Sequence, residues 1–450
     1  MAHIAPFRGI LYNHNLIEDL SRVLTPPYDV IDEEGQSFYY RLHPYNIIRI
    51  DFGKTSPQDT AEDNRYTRAA RDLSRWQENN ILIQDREPAI YLYTIHFKVP
   101  GGEIRVRNGF IALLRLESFE SGKVRPHEKT FSSHKRDRYE LFQHCRMQFC
   151  PIFSFYLDPE GSVIPTLSEK RPNEPFIDFV DQDAVHHQLW RISDPSALKR
   201  VMENFSNKTV YIADGHHRYE TSLAFQADML GQFPELVETG SFNYTLMFFC
   251  PMEDPGLTIF PVHRILNRSI ELTPSTLENK LAEDFIIEKI PYNPDLKSQI
   301  LAELKSRQKE KGRSSPSFGF FLPQTNLIYL LSLKNKALKG HWVEDLHPLL
   351  YGLDVMILSR LIFQKILGIK PEDLDRENMI TYCHDGLQTL ESVEKSRDRL
   401  AFFLNPTPVE QVRRIAEASL VMPRKSTFFY PKTLTGLVMH SLKGDESVSP

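Results

Sequence analysis

The chain of 450 residues is 41% apolar and 25% charged, and it carries a formal net charge of -5. This composition excludes extensive disorder, and the net charge gives no electrostatic footprint for a protein that binds nucleic acid. A secretory signal and an apolar run long enough to span a bilayer are both missing from the sequence, and the four cysteines form no CxxC pair or zinc-ligand spacing. We therefore expect a cytoplasmic protein with reduced thiols and with neither a membrane nor a nucleic-acid partner.

The first third of the chain is predicted to be rich in strands. Apolar, β-branched and aromatic residues are concentrated in three segments, 45–52, 89–99 and 108–116. Two glycines at 101 and 102 suit a hairpin turn between the second and third segments. A helix is predicted over 64–79, with Trp76 near its end.

Residues 209–221 read TVYIADGHHRYET, which predicts a strand, a tight turn and a helix. His216, His217 and Arg218 then fall on the first helical turn, where backbone N–H groups and the helix dipole attract an anion. Asp214, at the end of the strand, is placed to hold Mg²⁺ against phosphate oxygens. Two other interpretations stay open: Asp214 as a plain turn residue beside surface histidines, or a zinc site, although adjacent helical histidines point about 100° apart.

Beyond residue 255 the sequence changes to helices with isolated strands. Helices are predicted at 277–287, 296–308, 354–367 and 409–420, and a strand pair at 318–322 and 327–333. A polar, basic stretch at 309–317 is predicted to be a loop. We expect an α+β fold of two domains, residues 1–255 and 256–450.

Three further stretches combine reactive side chains with proline. LTPPYDVI at 24–31 presents Tyr28 and Asp29, and RPHEKT at 125–130 brings together Arg125, His127 and Glu128. MPRKSTFFYPK at 422–432 places Lys425 and Lys432 at the two ends of an aromatic strand. The plain alternatives are a strand-entry turn, a solvated loop and an edge strand with surface lysines.

In this order, TPPYDVI, RPHEKT, ADGHHRYET and MPRKSTFFYPK resemble a widespread bacterial and archaeal family of proteins of unknown function, over nearly the whole chain. Within that family ADGHHRYE is similar to the D-G-x-H-R element of the archaeal free serine kinases, which share a nucleotide-binding superfamily with ParB amino-terminal domains and sulfiredoxins. The resemblance implies a ParB/sulfiredoxin-like nucleotide-binding lobe of mixed sheet and helices, joined to a second α+β lobe. It also implies that Asp214, Gly215, His217 and Arg218 bind nucleotide phosphates.

The leading hypothesis is a Mg²⁺-assisted phosphotransferase that uses ATP or ADP to phosphorylate a small hydroxyl metabolite, with free L-serine implied by the resemblance. The expected nucleotide- or phosphate-binding residues are Asp214, Gly215, His216, His217, Arg218, Arg125, His127, Lys425 and Lys432, with Asp214 also the metal ligand. The expected catalytic residues are Asp29, Glu128 and His217, and we expect both carboxylates within about 10 Å of His217, a reach that suits one small substrate and a phosphate.

Two rival functions remain. One is a ParB-like regulator that binds a nucleotide without turning over a small molecule. The other is sulfiredoxin-like redox repair, which needs a reactive thiol at Cys145 or Cys150. The sequence leaves the acceptor, the choice between ATP and ADP, and the oligomeric state open.

Overall fold

A computed structural model describes residues 2–128, 132–268, 272–311, 315–374, 376, 379–396, 399–443 and 448. The chain folds into two compact units. The first consists of Met1–Pro126, Thr130–Thr258 and Pro431–Pro450, and the second of His127–Lys129 and Ile259–Tyr430. The last segment of the chain therefore belongs to the same unit as its beginning.

The first unit contains a large mixed sheet and helices. Its strands are β1 (Ile4–Ala5), β2 (Ile10–Tyr12), β3 (Leu82–Gln84), β4 (Ile90–Lys98), β5 (Ile104–Arg115), β6 (Val124–Arg125), β7 (Met147–Gln148), β8 (Ile152–Tyr156), β9 (Ile177–Val180), β10 (His186–Ile192), β11 (Val210–Asp214), β12 (Tyr244–Pro251) and, near the end of the chain, β21 (His440–Ser441). Its helices are α1 (Glu33–Leu42), α2 (Ile48–Asp51), α3 (Arg65–Glu78), α4 (Ser132–Cys145), α5 (Val163–Ser168), α6 (Pro195–Phe205) and α7 (His216–Gln232).

The main sheet has the order β6-β11-β8-β12-β5-β4-β10-β9, with β1 beside β5. Strand β11 pairs in parallel with β6, and β12 with β8, whereas the other described pairs are antiparallel. Strands β8 and β12 are buried along their whole length, so their sequences are nearly continuous apolar runs instead of alternating ones. Strand β11 lies beside β8, and this places the start of α7 at the end of a rigid sheet.

The second unit contains a six-stranded sheet of order β15-β17-β16-β19-β14-β18. Its strands are β13 (Thr258–Phe260), β14 (His263–Leu266), β15 (Phe285–Pro291), β16 (Ser317–Leu322), β17 (Leu327–Leu333), β18 (Ile380–Cys383), β19 (Leu400–Phe403) and β20 (Phe428–Tyr430). Its helices are α8 (Pro274–Asp284), α9 (Lys297–Lys311), α10 (Asp354–Met356), α11 (Pro371–Leu374), α12 (Gly386–Glu394) and α13 (Val409–Glu417), and a π-helix, Ile357–Ile366, continues α10. An apolar core that includes Leu304, Phe321 and Leu330 packs between this sheet and its helices.

The α+β expectation is confirmed, and so are several elements. The helix expected at 64–79 is α3, which begins after Asn64 because the Asn64 side chain accepts hydrogen bonds from the first-turn amides. The hairpin is also confirmed: β4 and β5 pair antiparallel, and Gly101 and Gly102 adopt φ values of 108° and 87°. These positive φ angles explain why glycine stands at both positions.

Two element assignments were wrong. Residues 45–52 do not form a strand, because Ile48–Asp51 is a short helix whose isoleucines are buried. The helix expected at 277–287 ends at Asp284, and the β-branched residues after it belong to strand β15. The loop expected at 309–317 is partly wrong as well, since α9 continues to Lys311, while residues 312–314 lie outside the described part of the chain.

Candidate functional site

The junction between β11 and α7 is a strand that turns directly into a helix. Strand β11 ends at Asp214, Gly215 precedes the helix with φ 98° and ψ 28°, and α7 begins at His216. A left-handed conformation of this kind favours glycine, which has no side chain with which to cap the helix. The predicted order of strand, tight turn and helix is therefore the observed one.

The buried side chain of Arg218 stabilises this junction. Its guanidinium donates to Asp214 Oδ2 at 2.8 Å and to the carbonyl oxygen of Pro151 at 2.7 Å, and it lies 2.9 Å from the Cys150 sulfur. Burial alone lowers the pKa of Arg218, but the acidic groups around it outweigh this effect and raise the pKa above its ordinary value. Arg218 therefore ties the end of β11 to the start of β8, and only 8% of its side chain is exposed.

Lys432, from the end of the chain, reaches the same place. Its Nζ donates to Asp214 Oδ1 at 2.7 Å, across 218 positions of sequence. The segment that carries it is fixed on both sides: Arg107 donates to the Pro431 carbonyl at 2.8 Å, and the Thr433 hydroxyl donates to that of Pro151 at 3.2 Å. Asp214 thus meets two cations, one on each carboxylate oxygen.

The TPPYDVI motif also lies in the first unit near this junction. Thr25 pairs with Thr435 of the C-terminal segment, and Tyr28 and Asp29 form a short 3-10 helix. Tyr28 is buried and Asp29 is exposed. Because the charge of Asp29 helps to raise the pKa of Arg218, this loop belongs to the same electrostatic neighbourhood.

A small cavity lies beside Arg218. Its volume is about 20 Å³, enough for one water molecule, and the polar side chains that line it include Tyr28, Asp51, Arg138, Gln148, Arg218 and Ser222. Arg138 donates to Asp51 Oδ1 at 2.9 Å and lies 3.9 Å from the centre of the Tyr28 ring. This buried ion pair thereby supports the TPPYDVI loop.

The remaining motif residues divide between the two units. Arg125 lies in β6, paired with Tyr211 of β11, so it belongs to the first unit. In the second unit, Glu128 accepts hydrogen bonds from the Ser426 amide at 3.2 Å and the Thr427 hydroxyl at 3.3 Å.

In the same unit, buried His127 lies 3.2 Å from the Thr427 hydroxyl. RPHEKT therefore meets MPRKST there, although Lys129 and Thr130 lie outside the described residues. Lys425 is exposed, and its carbonyl accepts from Arg264 at 2.8 Å. The expected approach of Glu128 and Asp29 to His217 stays a prediction.

Asp214 is poorly suited to hold Mg²⁺ in this arrangement. Both of its oxygens are occupied by cations, and a divalent ion would be repelled by Lys432 and Arg218. The described residues also contain no group of three His, Cys, Asp or Glu side chains that could hold an ion.

The two cysteines that a redox function would need are buried. Burial raises the pKa of Cys145 to about 12 and also raises the pKa of Cys150. A thiol with a raised pKa is a poor attacking group at neutral pH, because the thiolate is the nucleophile. This geometry gives no support to sulfiredoxin-like chemistry.

Sequence reasoning missed two residues that support the site. Arg107 is fully buried between the rings of Phe153 and Phe248, 4.6 and 5.3 Å from their centres. Arg138 is buried against Asp51. Neither could be found from the sequence, because each lies in an ordinary strand or helix and its partners are distant in the chain.

The sequence matches a known family over most of its length. A family model described as "Protein of unknown function (DUF1015)" matches residues 4–356. The chain belongs to this family. The family expected from the four motifs is confirmed, and the match covers the β11–α7 junction, TPPYDVI and RPHEKT.

Among solved structures, the chain is similar to a mutant free serine kinase in complex with AMP, with 12% identity and a TM-score of 0.33, covering 70% of this chain and 88% of that one. A second mutant of the free serine kinase, in complex with ADP, gives 12% identity, a TM-score of 0.32 and the same coverage. SbnI from Staphylococcus aureus, with a C-terminal truncation, gives 8% identity and a TM-score of 0.34 over 70% of this chain and 82% of that chain. At these scores no residue's role is transferred to this protein.

No curated protein matches the sequence. Within the described ranges, no helix is both long and apolar enough to cross a lipid bilayer.

Proposed function

We propose that this protein is a phosphotransferase that binds ATP or ADP at the start of α7 and phosphorylates the hydroxyl group of a small metabolite. One observation carries the proposal: β11 passes through a positive-φ glycine into a long helix, and Lys432, 218 positions along the chain, pairs with Asp214 directly before that glycine. A helix start and a lysine ammonium are both phosphate-binding groups. Their convergence on one point supports a phosphate site more strongly than either feature alone.

In the proposed reaction the protein positions the nucleotide and the acceptor and neutralises the charge of the phosphate oxygens. The hydroxyl oxygen of the acceptor bonds to the terminal phosphorus while the bridging P–O bond of the nucleotide breaks, and the nucleotide leaves with one phosphate fewer. A carboxylate takes the proton of the acceptor, and Asp29 and Glu128 are the two candidates. The first-turn amides, His217 and Lys432 stabilise the phosphate oxygens as charge develops on them.

Two finer parts of the proposal rest on the resemblance of ADGHHRYE to the free serine kinase element. Free L-serine is the proposed acceptor, and Mg²⁺ enters as part of the nucleotide substrate. Arg218 is proposed to act mainly by holding Asp214, since its guanidinium already makes three contacts within the protein, to Asp214, Pro151 and Cys150.

The test is a product screen. The purified protein is incubated with Mg²⁺, ATP or ADP and a pool of hydroxy metabolites that includes L-serine, and mass spectrometry detects acceptors that have gained one phosphate. A phosphorylated acceptor supports the proposal. Nucleotide binding in calorimetry without any product would favour the regulator instead, and absence of binding would refute both.

Two lysines of the first unit give a matched pair of variants. Lys432→Ala is expected to weaken nucleotide binding at least ten-fold, because it removes the cation beside Asp214. Lys199→Ala removes a lysine of α6 whose side chain is 76% exposed, and it is the control. Equal effects of the two substitutions would contradict the location proposed for the phosphate site.

A further inference from the structure

The carboxylate of Asp214 makes the contacts that a phosphate would make at this site. Its Oδ1 accepts from Lys432 at 2.7 Å and its Oδ2 accepts from Arg218 at 2.8 Å. The exposed fractions are 15% for the Asp214 side chain and 11% for that of Lys432. Because these charges are mostly buried, salt screens the two ion pairs less than it screens pairs on the open surface.

The position of Asp214 in the chain strengthens this likeness. The residue precedes Gly215 and the first turn of α7, where the positive end of the helix dipole stabilises any anion. A carboxylate that bridges two cations beside a helix start uses the same set of partners as a phosphate group does. An incoming phosphate must therefore share these partners with a resident negative charge, or displace it.

We propose that Asp214 is an internal anion that competes with phosphate for Lys432 and the start of α7. This inference rests on the proposed function, because it takes the phosphate to bind at this junction. On binding, Lys432 leaves the carboxylate for a phosphate oxygen, while Asp214 keeps its pair with Arg218. The resident charge weakens the binding of small anions most, so the site selects nucleoside polyphosphates over inorganic phosphate.

The test is to neutralise the carboxylate without changing its shape. Asp214→Asn is expected to bind pyrophosphate at least ten-fold more tightly than the unmodified protein in calorimetry, because a repelling charge has been removed. A residue that contributes to phosphate or metal binding would give the opposite result. Asp214→Ser is a second neutral variant, and thermal unfolding checks that each variant is folded.

Asp228→Asn is the matched control. Asp228 is an exposed acid farther along the same helix, so its substitution changes the net charge equally and leaves the helix start intact. Pyrophosphate affinity is expected to stay within about two-fold in this variant, since an exposed charge at that distance is screened. An equal gain in the control would overturn the inference, because the effect would then be general.

The other outcomes separate the inference from the proposed function. If the unmodified protein binds ADP but neither neutral variant binds pyrophosphate more tightly, the inference fails and the proposed function stands. If neither ADP nor pyrophosphate binds to any form, both fail. Should the neutral variants not fold, Lys432→Met decides: pyrophosphate binding equal to that of the unmodified protein would overturn the inference.

Discussion

Replacing Gly215 by alanine tests whether the backbone at the junction determines the shape of the site. An added Cβ would lie 2.9 Å from three atoms of the Arg218 guanidinium, and the residue would have to keep a φ of 98°. Such a backbone conformation costs a non-glycine residue roughly 1–3 kcal/mol. Displacing the guanidinium weakens charged hydrogen bonds worth roughly 1.5–3 kcal/mol each. We expect the free energy of unfolding of the first unit to fall by about 3 kcal/mol.

Gly231 provides a control within the same helix. It is exposed, and apart from its chain neighbours and the adjacent backbone of the helix no atom lies within 4 Å of an added Cβ. Alanine there improves helix propensity by up to about 1 kcal/mol, so the two glycine-to-alanine changes should have opposite signs.

Thermal unfolding measures the size of the effect, and hydrogen exchange of α7 assigns it to the first unit. For a unit of this size, a loss of about 3 kcal/mol corresponds to a fall in Tm of roughly 6–12 °C. Exchange at the start of α7 should accelerate in Gly215→Ala and stay unchanged in Gly231→Ala. An unchanged Tm in Gly215→Ala, or a shift of the same sign in both variants, would refute the reasoning.

Three further outcomes are expected. Arg107→Lys should lower the free energy of unfolding of the first unit by about 2 kcal/mol, because it removes a stacked, hydrogen-bonded guanidinium. Arg105 lies on the same strand but is only half-buried, so Arg105→Lys is the control and should change the Tm little. Burial lowers the pKa of His440 to about 4, so the unfolded chain binds a proton at this histidine at a higher pH than the folded protein does. The free energy of unfolding therefore falls by about 3 kcal/mol as the pH decreases from 6.5 to 4. In acid unfolding, His440→Gln should reduce this loss, whereas His341→Gln, at an exposed site, should leave it unchanged. In the native protein a thiol reagent should modify Cys383 and leave the three buried cysteines unmodified until unfolding; rapid reaction of a second thiol would contradict the burial described.

The sequence predicts the β11–α7 junction well because its signals are local. An Asp-Gly turn, a short apolar strand and helical spacing from Tyr219 onward all lie within a few residues of one another. Residues 45–52 were mispredicted for a related reason: a short apolar run fits a strand and a buried helix equally well. Only the packing of the isoleucines in α2 distinguishes the two.

Contacts between residues far apart in the chain could not be predicted from the sequence. Lys432 meets Asp214 across 218 positions, and Arg107 meets Pro431 across 324. A motif resemblance singled out Lys432, but no periodicity or composition pairs it with Asp214. Arg107 has no signal at all, because a buried arginine in a strand has the same sequence pattern as an exposed one.

The last segment of the chain, Pro431–Pro450, completes the first unit, and this has a consequence for how the protein is made. A ribosome synthesises the chain from its N-terminus at roughly 5–20 residues per second. Asp214 is therefore made about ten to forty seconds before Lys432, its partner 218 positions later. During that interval the continuous stretch Ile259–Tyr430 is produced and can fold first. The contact between Lys432 and Asp214 is thus made last, and a nascent or prematurely released chain carries β11 and α7 without it.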